Sequence, residues 1–209
     1  LGFMSFTTLI AIILGKKITL RERLILQDAM NTFNIQGLVK MVKYVLVFTV
    51  SVQFFGALLL STQFIPEFGF GKGAFYSLFH SISAFCNAGF DVLGKGNSLI
   101  SFNTNVVVIM VLSILIIIGG LGFTVWSELY TCKSIRRVSI HSKMVLLITT
   151  GLVVGGTLLM FLFEHNNPQT ISKMSFINKL TNSFFASVTP RTAGFNSIST
   201  SGMTTAGQF

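Results

Sequence analysis

Charged residues are scarce in this sequence. Only 10% of its 209 residues are Asp, Glu, Lys or Arg, whereas roughly a quarter of the residues in a soluble globular protein are charged. Hydrophobic residues make up 51% of the chain, including 22 phenylalanines, and the mean hydropathy is +0.75. A soluble domain of this size needs more charge to cover its surface. The composition therefore excludes a soluble globular fold and predicts an integral membrane protein.

Acidic residues and histidines are also few, and these shortages exclude several functions. Neither HExxH nor GxSxG, two common catalytic motifs, occurs in the sequence, so we predict that the protein is not an enzyme. The three histidines, His80, His141 and His165, are scattered along the chain, which argues against a transition-metal site. The fifteen basic residues cluster between apolar runs. This pattern argues against a nucleic-acid partner and favours membrane lipid.

Long apolar runs predict the membrane-spanning helices. About 20 apolar residues are needed to cross a bilayer as a helix, and the runs at 44–65, 105–126 and 144–163 are long enough. A shorter run at 1–14 predicts the end of a further helix whose start is missing. Runs this continuous do not alternate as the strands of a membrane barrel do. The fold class predicted is therefore all-α and integral to the membrane.

The distribution of basic residues predicts which side each connection occupies. Segments 16–43 and 131–143 together hold ten of the fifteen basic residues, and segment 66–104 has a net charge of zero. Cytoplasmic connections carry the excess of Lys and Arg. We therefore place 16–43 and 131–143 in the cytoplasm, with 66–104 and 164–209 outside, which predicts a multi-pass protein of the plasma membrane.

Two outer segments predict short helices that enter the membrane and return. Residues 75–86 and 177–188 are apolar but too short to span the bilayer, as re-entrant segments are. Each is followed by the sequence Ala-Gly-Phe, which contains Gly89 in one case and Gly194 in the other. The two glycines are 105 positions apart (194 − 89). This spacing predicts an internal repeat.

The repeated unit predicted is a membrane helix, a re-entrant pore helix, a glycine turn and a second membrane helix. A second correspondence relates Leu-Gly-Phe at 1–3 to the same residues at 121–123. The predicted boundaries are 1–43 for the end of a first repeat and a cytoplasmic linker, 44–130 for a second repeat, 131–143 for a cytoplasmic linker, and 144–209 for the first membrane helix and pore loop of a third repeat.

Such a unit is suited to cations. A short helix leaves its last carbonyls unpaired, and its C-terminal end favours positive charge. Glycine lets the next turn bring backbone oxygens close to an ion, as in potassium filters. The alternative is a secondary carrier of an organic solute, but carriers usually place a charged or polar site near the midplane. The predicted spans hold no ionisable residue, which favours the filter.

Three stretches resemble the Trk/Ktr/HKT superfamily of potassium transporters, most closely the Ktr-type membrane subunit. They are FHSISAFCNAGFD at 79–91, IGGLGF at 118–123 and SVTPRTAGFNS at 187–197. The resemblance covers essentially the whole chain. It implies four membrane–pore–membrane repeats arranged like one potassium channel, of which this sequence holds the second and third filter glycines.

The resemblance also implies the site, the ion and the partners. The implied ion-filter residues are Asn87, Ala88, Gly89, Phe90, Thr192, Ala193, Gly194 and Phe195. Asp91, Arg191 and Asn196 are implied at the outer mouth or in support of the filter. Asp91 either concentrates cations or caps a turn, and Arg191 would brace the filter through an acidic partner.

No bound cofactor is expected. The implied transported ion is K⁺, with Na⁺ as a second candidate, and uptake would be channel-like or sodium-coupled. The implied partners are a second copy in a homodimer and a cytosolic ring of nucleotide-binding regulatory subunits, which segments 16–43 and 131–143 could contact. The implied location is a bacterial plasma membrane.

Overall fold

The computed structural model describes residues 38–93, 98–131 and 138–208, and these residues form helices, turns and loops without a β-strand. The α-helices are α1 Leu38–Phe68, α2 Phe70–Phe85, α3 Val106–Gly120, α4 Phe123–Thr131, α5 Ile140–Glu164, α6 Phe176–Val188 and α7 Thr205–Gln208. Short 3₁₀ helices cover Ser98–Phe102 and Thr200–Gly202. The all-α prediction is therefore confirmed for this part of the chain. The predicted helix end at 1–14 and the repeat match at 1–3 lie outside the described residues.

Tertiary contacts divide the chain into two compact units. One comprises Leu1–Ser51 and Phe123–Ser142, and the other comprises Val52–Gly122 and Lys143–Phe209. In the first unit, Glu128 accepts hydrogen bonds from the backbone N–H (3.1 Å) and the hydroxyl (2.7 Å) of Ser139. These hydrogen bonds stabilise the carboxylate and lower the pKa of Glu128.

Within the described part of the chain, two helical segments are long and apolar enough to cross a membrane, Tyr44–Phe68 and Ile140–Glu164, each of 25 residues. The prediction of one continuous span over 105–126 is wrong. Helix α3 ends at Gly120, and Gly122 has a φ of +87° before α4 begins at Phe123. Glycine tolerates this left-handed conformation, which interrupts a helix that hydropathy alone treats as continuous. The 15 residues of α3 extend about 22 Å, less than the hydrocarbon thickness of about 30 Å.

The short helices α2 and α6 lie where re-entrant helices were predicted. Their 16 and 13 residues correspond to about 24 and 20 Å of helix. Both helices bury polar side chains and expose apolar ones. Helix α2 buries Ser77, His80 and Ser81, and α6 exposes Phe176 and Ile177. This arrangement is the reverse of that expected at a water-covered surface, and it fits an apolar environment.

Helix α3 contacts both short helices in the second unit. Its buried side chains, including Ile109, Leu112 and Ile116, belong to a core that also contains Phe185 of α6. A Cβ at Gly119 would overlap the carbonyl oxygen of Phe85, the last residue of α2. The absence of a side chain at this position therefore allows α3 to lie directly against the end of α2.

A serine joins each short helix to the long helix that precedes it. The Ser81 hydroxyl donates to the carbonyl oxygen of Gln53 (2.7 Å), and Gly56 lies beside that serine in α1. The other short helix has the same arrangement. Its residue Ser187 donates to the carbonyl of Val153 (2.9 Å) beside Gly156 in α5. Gln53 precedes Gly56 by three residues, and Val153 precedes Gly156 by three residues. The same kind of serine–carbonyl contact therefore occurs in both halves of the second unit.

Candidate ion-binding site

The turns after α2 and α6 have the same unusual backbone. Asn87 and Gly89 have φ values of +50° and +69°, and Thr192 and Gly194 have values of +65° and +73°. Asn87 and Thr192 are the only residues other than glycine with positive φ in the described chain. The two pairs are separated by the same 105 positions (192 − 87 and 194 − 89), so the repeat seen in the sequence is also a repeat of conformation.

This conformation affects the direction of the backbone carbonyls. In each turn a residue of ordinary φ, Ala88 or Ala193, lies between two residues of positive φ. Alternation in the sign of φ aligns successive peptide dipoles instead of reversing them as a strand does. Successive carbonyl oxygens can therefore face one side of the turn. Such an arrangement can replace part of the hydration shell of a cation.

The two turns meet at their glycines. A Cβ at Gly89 would overlap the carbonyl oxygen of Ala193 and lie 2.8 Å from the Cα of Gly194. A Cβ at Gly194 would lie 3.4 Å from the Cα of Gly89. The structure therefore brings together the two glycines that the sequence singled out, with backbone against backbone.

Hydrogen bonds hold the first turn against α2 and α3. The backbone N–H of Ala88 donates to the Ser83 carbonyl (2.9 Å), and the Ser83 hydroxyl donates to the carbonyl of Phe90 (2.9 Å). The Asn87 side-chain amide, oriented to satisfy its neighbours, donates to the carbonyls of Ala84 (3.1 Å) and Ile116 (3.3 Å). The Phe90 carbonyl is thus engaged by Ser83. The carbonyls of Asn87, Ala88 and Gly89 remain candidates for ion contact in this turn.

The second turn is held differently. The Ala193 N–H donates to the carbonyl of Thr189 (3.1 Å), and the Asn196 carbonyl accepts from Leu99 (3.0 Å). Phe195 is fully buried, whereas Phe90 is 69% exposed. The two phenylalanines occupy matching positions in the sequence but different environments.

The charged candidates lie beside the turns. The Asp91 carboxylate accepts from the Leu93 N–H (2.7 Å) and lies 3.2 Å from Nε2 of His80. The turn-capping alternative for Asp91 is therefore present in the structure. For Arg191, no carboxylate within the described ranges lies within 4.0 Å, so the expected acidic partner is not found there. Burial lowers the pKa of Arg191, although a guanidinium stays protonated in proteins.

The sequence did not identify His80 as part of this site. Its side chain is fully buried and lies beside both turns, near Asp91 and near Phe195. The wide spacing of the three histidines along the sequence argued only against a metal site. The sequence did contain one relevant pattern: His80 lies in an apolar segment, eleven positions before the carboxylate of Asp91. No group of three potential metal-ligating residues occurs among the residues that the structure describes.

The family model TrkH, described as a cation transport protein, matches residues 1–209. The chain is 47% identical over 198 residues to the potassium/sodium uptake protein NtpJ of Enterococcus hirae, covering 95% of this chain and 43% of that protein. It is 42% identical over 198 residues to the Ktr system potassium uptake protein B of Bacillus subtilis, with 95% and 44% covered. The corresponding protein of Vibrio alginolyticus is 36% identical over 200 residues, with the same coverage.

The chain spans less than half the length of these curated relatives. The match extends over its own full length, including both glycine turns and the helices that carry them. The resemblance noted on three short stretches is thereby confirmed, and the chain belongs to the TrkH family of cation transport proteins, which are membrane proteins.

Proposed function

We propose that this chain contributes to K⁺ uptake across a bacterial plasma membrane, through a filter formed by the carbonyls of its two glycine turns. The observation that carries the proposal is the meeting of Gly89 with Ala193 and Gly194, in turns with the same pattern of positive φ. The carbonyls of Asn87, Ala88, Thr192 and Ala193 are the proposed ion ligands.

The helices before the turns support this proposal. Helices α2 and α6 end two and four residues before Asn87 and Thr192, so each turn follows the negative end of a helix dipole, which favours a cation. The apolar stretches 44–65 and 144–163 contain no Asp, Glu, Lys or Arg. A proton relay or a binding site for a charged solute would need such groups within the membrane. Uncharged backbone oxygens are the ligands that this segment offers.

The domain boundaries and the re-entrant path of α2 and α6 belong to the same proposal. The matching serine–glycine contacts of Ser81 with Gly56 and Ser187 with Gly156 support two copies of one unit, with a pore helix packed on its preceding membrane helix. The proposed second repeat is 44–130, and the third begins at 144. Segments 16–43 and 131–143 would be cytoplasmic.

The proposal extends to the ion and the partners. Relatives are named for uptake of potassium, or of potassium and sodium, so K⁺ is the proposed ion and Na⁺ the proposed competitor or coupling ion. No bound cofactor is proposed. Following the resemblance to Ktr-type subunits, the proposed assembly is a homodimer in lipid, regulated by a cytosolic ring of nucleotide-binding subunits.

Uptake of radioactive rubidium tests the function. The complete gene product, reconstituted in proteoliposomes with and without its cytosolic regulator, should accumulate Rb⁺. Excess K⁺ should block this uptake, and equal Na⁺ should block it much less, because a fixed set of carbonyls favours one ion size and coordination. Absence of Rb⁺ uptake by folded protein in both preparations would contradict the proposal. Equal block by both ions would contradict the selectivity.

A further inference from the structure

Ser83 contacts the first glycine turn through both its backbone and its side chain. It lies near the end of α2 and is 5% exposed. Its carbonyl oxygen accepts from the N–H of Ala88 (2.9 Å), and its hydroxyl donates to the carbonyl oxygen of Phe90 (2.9 Å). These two partners come immediately before and after Gly89 in the sequence. One buried serine therefore holds the turn on both sides of its glycine.

The first of these hydrogen bonds directs a proposed ion ligand. The N–H of Ala88 and the carbonyl of Asn87 belong to the same peptide unit, and in a planar trans peptide these two groups point in opposite directions. Because the N–H of Ala88 points to Ser83, the carbonyl of Asn87 points away from Ser83. The Asn87 oxygen is therefore directed to the side of the turn that faces away from this serine.

The second hydrogen bond has the opposite effect on the carbonyl of Phe90. The Ser83 hydroxyl holds this oxygen toward α2, whereas the carbonyl of Asn87 is directed away from Ser83. The ring of Phe90 is 69% exposed, so packing within the described chain does little to fix the position of this residue. The hydroxyl of Ser83 is the group that orients the Phe90 carbonyl.

The second turn has the corresponding backbone contact but lacks the hydroxyl contact. The carbonyl of Thr189, the residue after α6, accepts from the N–H of Ala193 (3.1 Å). Thr189 also carries a hydroxyl, but this buried oxygen has no hydrogen-bond partner among the described residues. Phe195, which matches Phe90 in the repeat, is fully buried instead. The end of the second turn is therefore fixed by packing, and the end of the first turn by the hydrogen bond from Ser83.

We propose that Ser83 is a positioning residue for ion selectivity, because its hydroxyl keeps the Phe90 carbonyl out of the set of ion ligands. This inference rests on the proposed function, since it assumes that the turn contacts the ion. The size of the site and the number of coordinating carbonyls distinguish K⁺ from Na⁺ in a filter. Without the hydroxyl, the Phe90 carbonyl is free to turn, and the neighbouring Gly89 offers little resistance. The set of ligands is then no longer fixed, so the preference for K⁺ falls.

The test uses Ser83→Ala, which removes the hydroxyl but retains the backbone contact with Ala88. Two matched controls also remove a buried hydroxyl. Ser77→Ala acts in the same helix, where the Ser77 hydroxyl donates to the carbonyl of Gly73 (2.7 Å), one turn earlier in α2. Thr189→Val acts beside the second turn, where the hydroxyl has no partner within the described ranges. Neither control removes a hydrogen bond to a carbonyl of a glycine turn.

Selectivity is measured as the ratio of the Na⁺ and K⁺ concentrations that halve Rb⁺ uptake by the complete gene product in proteoliposomes. This ratio does not depend on the amount of folded protein, so a purely structural defect leaves it unchanged. Ser83→Ala should lower the ratio by roughly threefold to tenfold, the factor that one hydrogen bond contributes to an equilibrium. Ser77→Ala and Thr189→Val should stay within about twofold of the wild type. A wild-type ratio in Ser83→Ala, or an equal loss in Ser77→Ala, would overturn the inference.

Amide hydrogen exchange in detergent, without K⁺ or Rb⁺, tests the contact independently of ion transport. In Ser83→Ala the backbone amides of 87–90 should exchange roughly three to ten times faster than in the wild type, because loss of the hydrogen bond favours local opening of the turn. In Ser77→Ala they should exchange at the wild-type rate. If the wild type takes up no Rb⁺ but exchange changes as expected, the proposed function is wrong and the contact of Ser83 with the turn stands. Unchanged exchange in Ser83→Ala would overturn the inference even if wild-type uptake is selective.

Discussion

Replacing Gly89 with alanine should abolish selective uptake of Rb⁺ by the complete gene product. The backbone of Gly89 has a φ of +69°, and the added Cβ would overlap the carbonyl oxygen of Ala193. The left-handed conformation alone costs about 1–2 kcal/mol for a residue with a side chain, and 1–2 kcal/mol corresponds to a factor of about 5–30 in an equilibrium. The overlap adds to this cost by moving a proposed ion ligand. We expect at least a tenfold loss of the K⁺ preference over Na⁺ in competition assays, since both effects act on the same turn.

Two other glycines provide matched controls for Gly89→Ala. Gly155 lies in α5, where an added Cβ has no atom within 4 Å, so Gly155→Ala should leave uptake and selectivity unchanged. Gly194 has a φ of +73° but only an ordinary contact at 3.4 Å, so Gly194→Ala should be harmful but less so than Gly89→Ala. Unchanged selectivity in Gly89→Ala, with normal folding, would contradict the assignment of this turn to the filter.

Glu164 is a buried carboxylate at the C-terminal end of α5. Its side chain is 1% exposed. One oxygen accepts from the Asn167 amide (2.7 Å) and the Thr170 hydroxyl (2.6 Å). The other accepts from the N–H (2.8 Å) and the hydroxyl (2.7 Å) of Thr204. Thr204 immediately precedes α7, so Glu164 joins the end of one long helix to the segment beyond the second turn.

Glu164→Ala should strongly destabilise the protein. The substitution would remove four hydrogen bonds and leave their donors without the carboxylate. Removal of one side of a buried charged network typically costs about 3–5 kcal/mol. The thermal unfolding midpoint in detergent should fall by several degrees, because about 1 kcal/mol shifts the midpoint by about 2–4 °C in a protein of this size.

Glu67 is the matched control for Glu164, because it is an exposed glutamate near the end of α1. Glu67→Ala should change the midpoint little, since surface substitutions usually alter stability by less than about 0.5 kcal/mol. Glu164→Gln should be intermediate, because its remaining oxygen can still accept from Thr204 while its amide faces the Asn167 amide. Equal midpoints for Glu164→Ala and Glu67→Ala would contradict the role given to Glu164.

Local patterns predicted much of this fold. Apolar length predicted the two long helices, and the shorter runs at 75–86 and 177–188 predicted α2 and α6. The repeated Ala-Gly-Phe predicted two turns of the same kind, because glycine is the residue that most readily adopts positive φ. Asn87 and Thr192 share that conformation. Asparagine adopts positive φ more readily than most residues, whereas threonine, which is β-branched, gives no such signal.

Features that depend on tertiary contacts were not predicted. Hydropathy does not reveal a break within an apolar helix. The sequence therefore did not predict that α3 ends at Gly120 or that Gly122 has a left-handed conformation. The contact between His80 and Asp91 forms only after the chain has turned, and their separation in the sequence does not by itself predict it. The different environments of Phe90 and Phe195 also arise from packing, since their local sequences match.

We propose that the two glycine turns hold a cation with their backbone carbonyls. The most direct measurement is the anomalous scattering of Rb⁺ in crystals of the complete gene product, grown with Rb⁺ in place of K⁺. An anomalous peak should appear within coordination distance of the carbonyls of Asn87, Ala88, Thr192 and Ala193, and it should weaken in Gly89→Ala and when K⁺ is added back. Ordered turns with no peak beside them, or a peak held elsewhere by side chains, would contradict it.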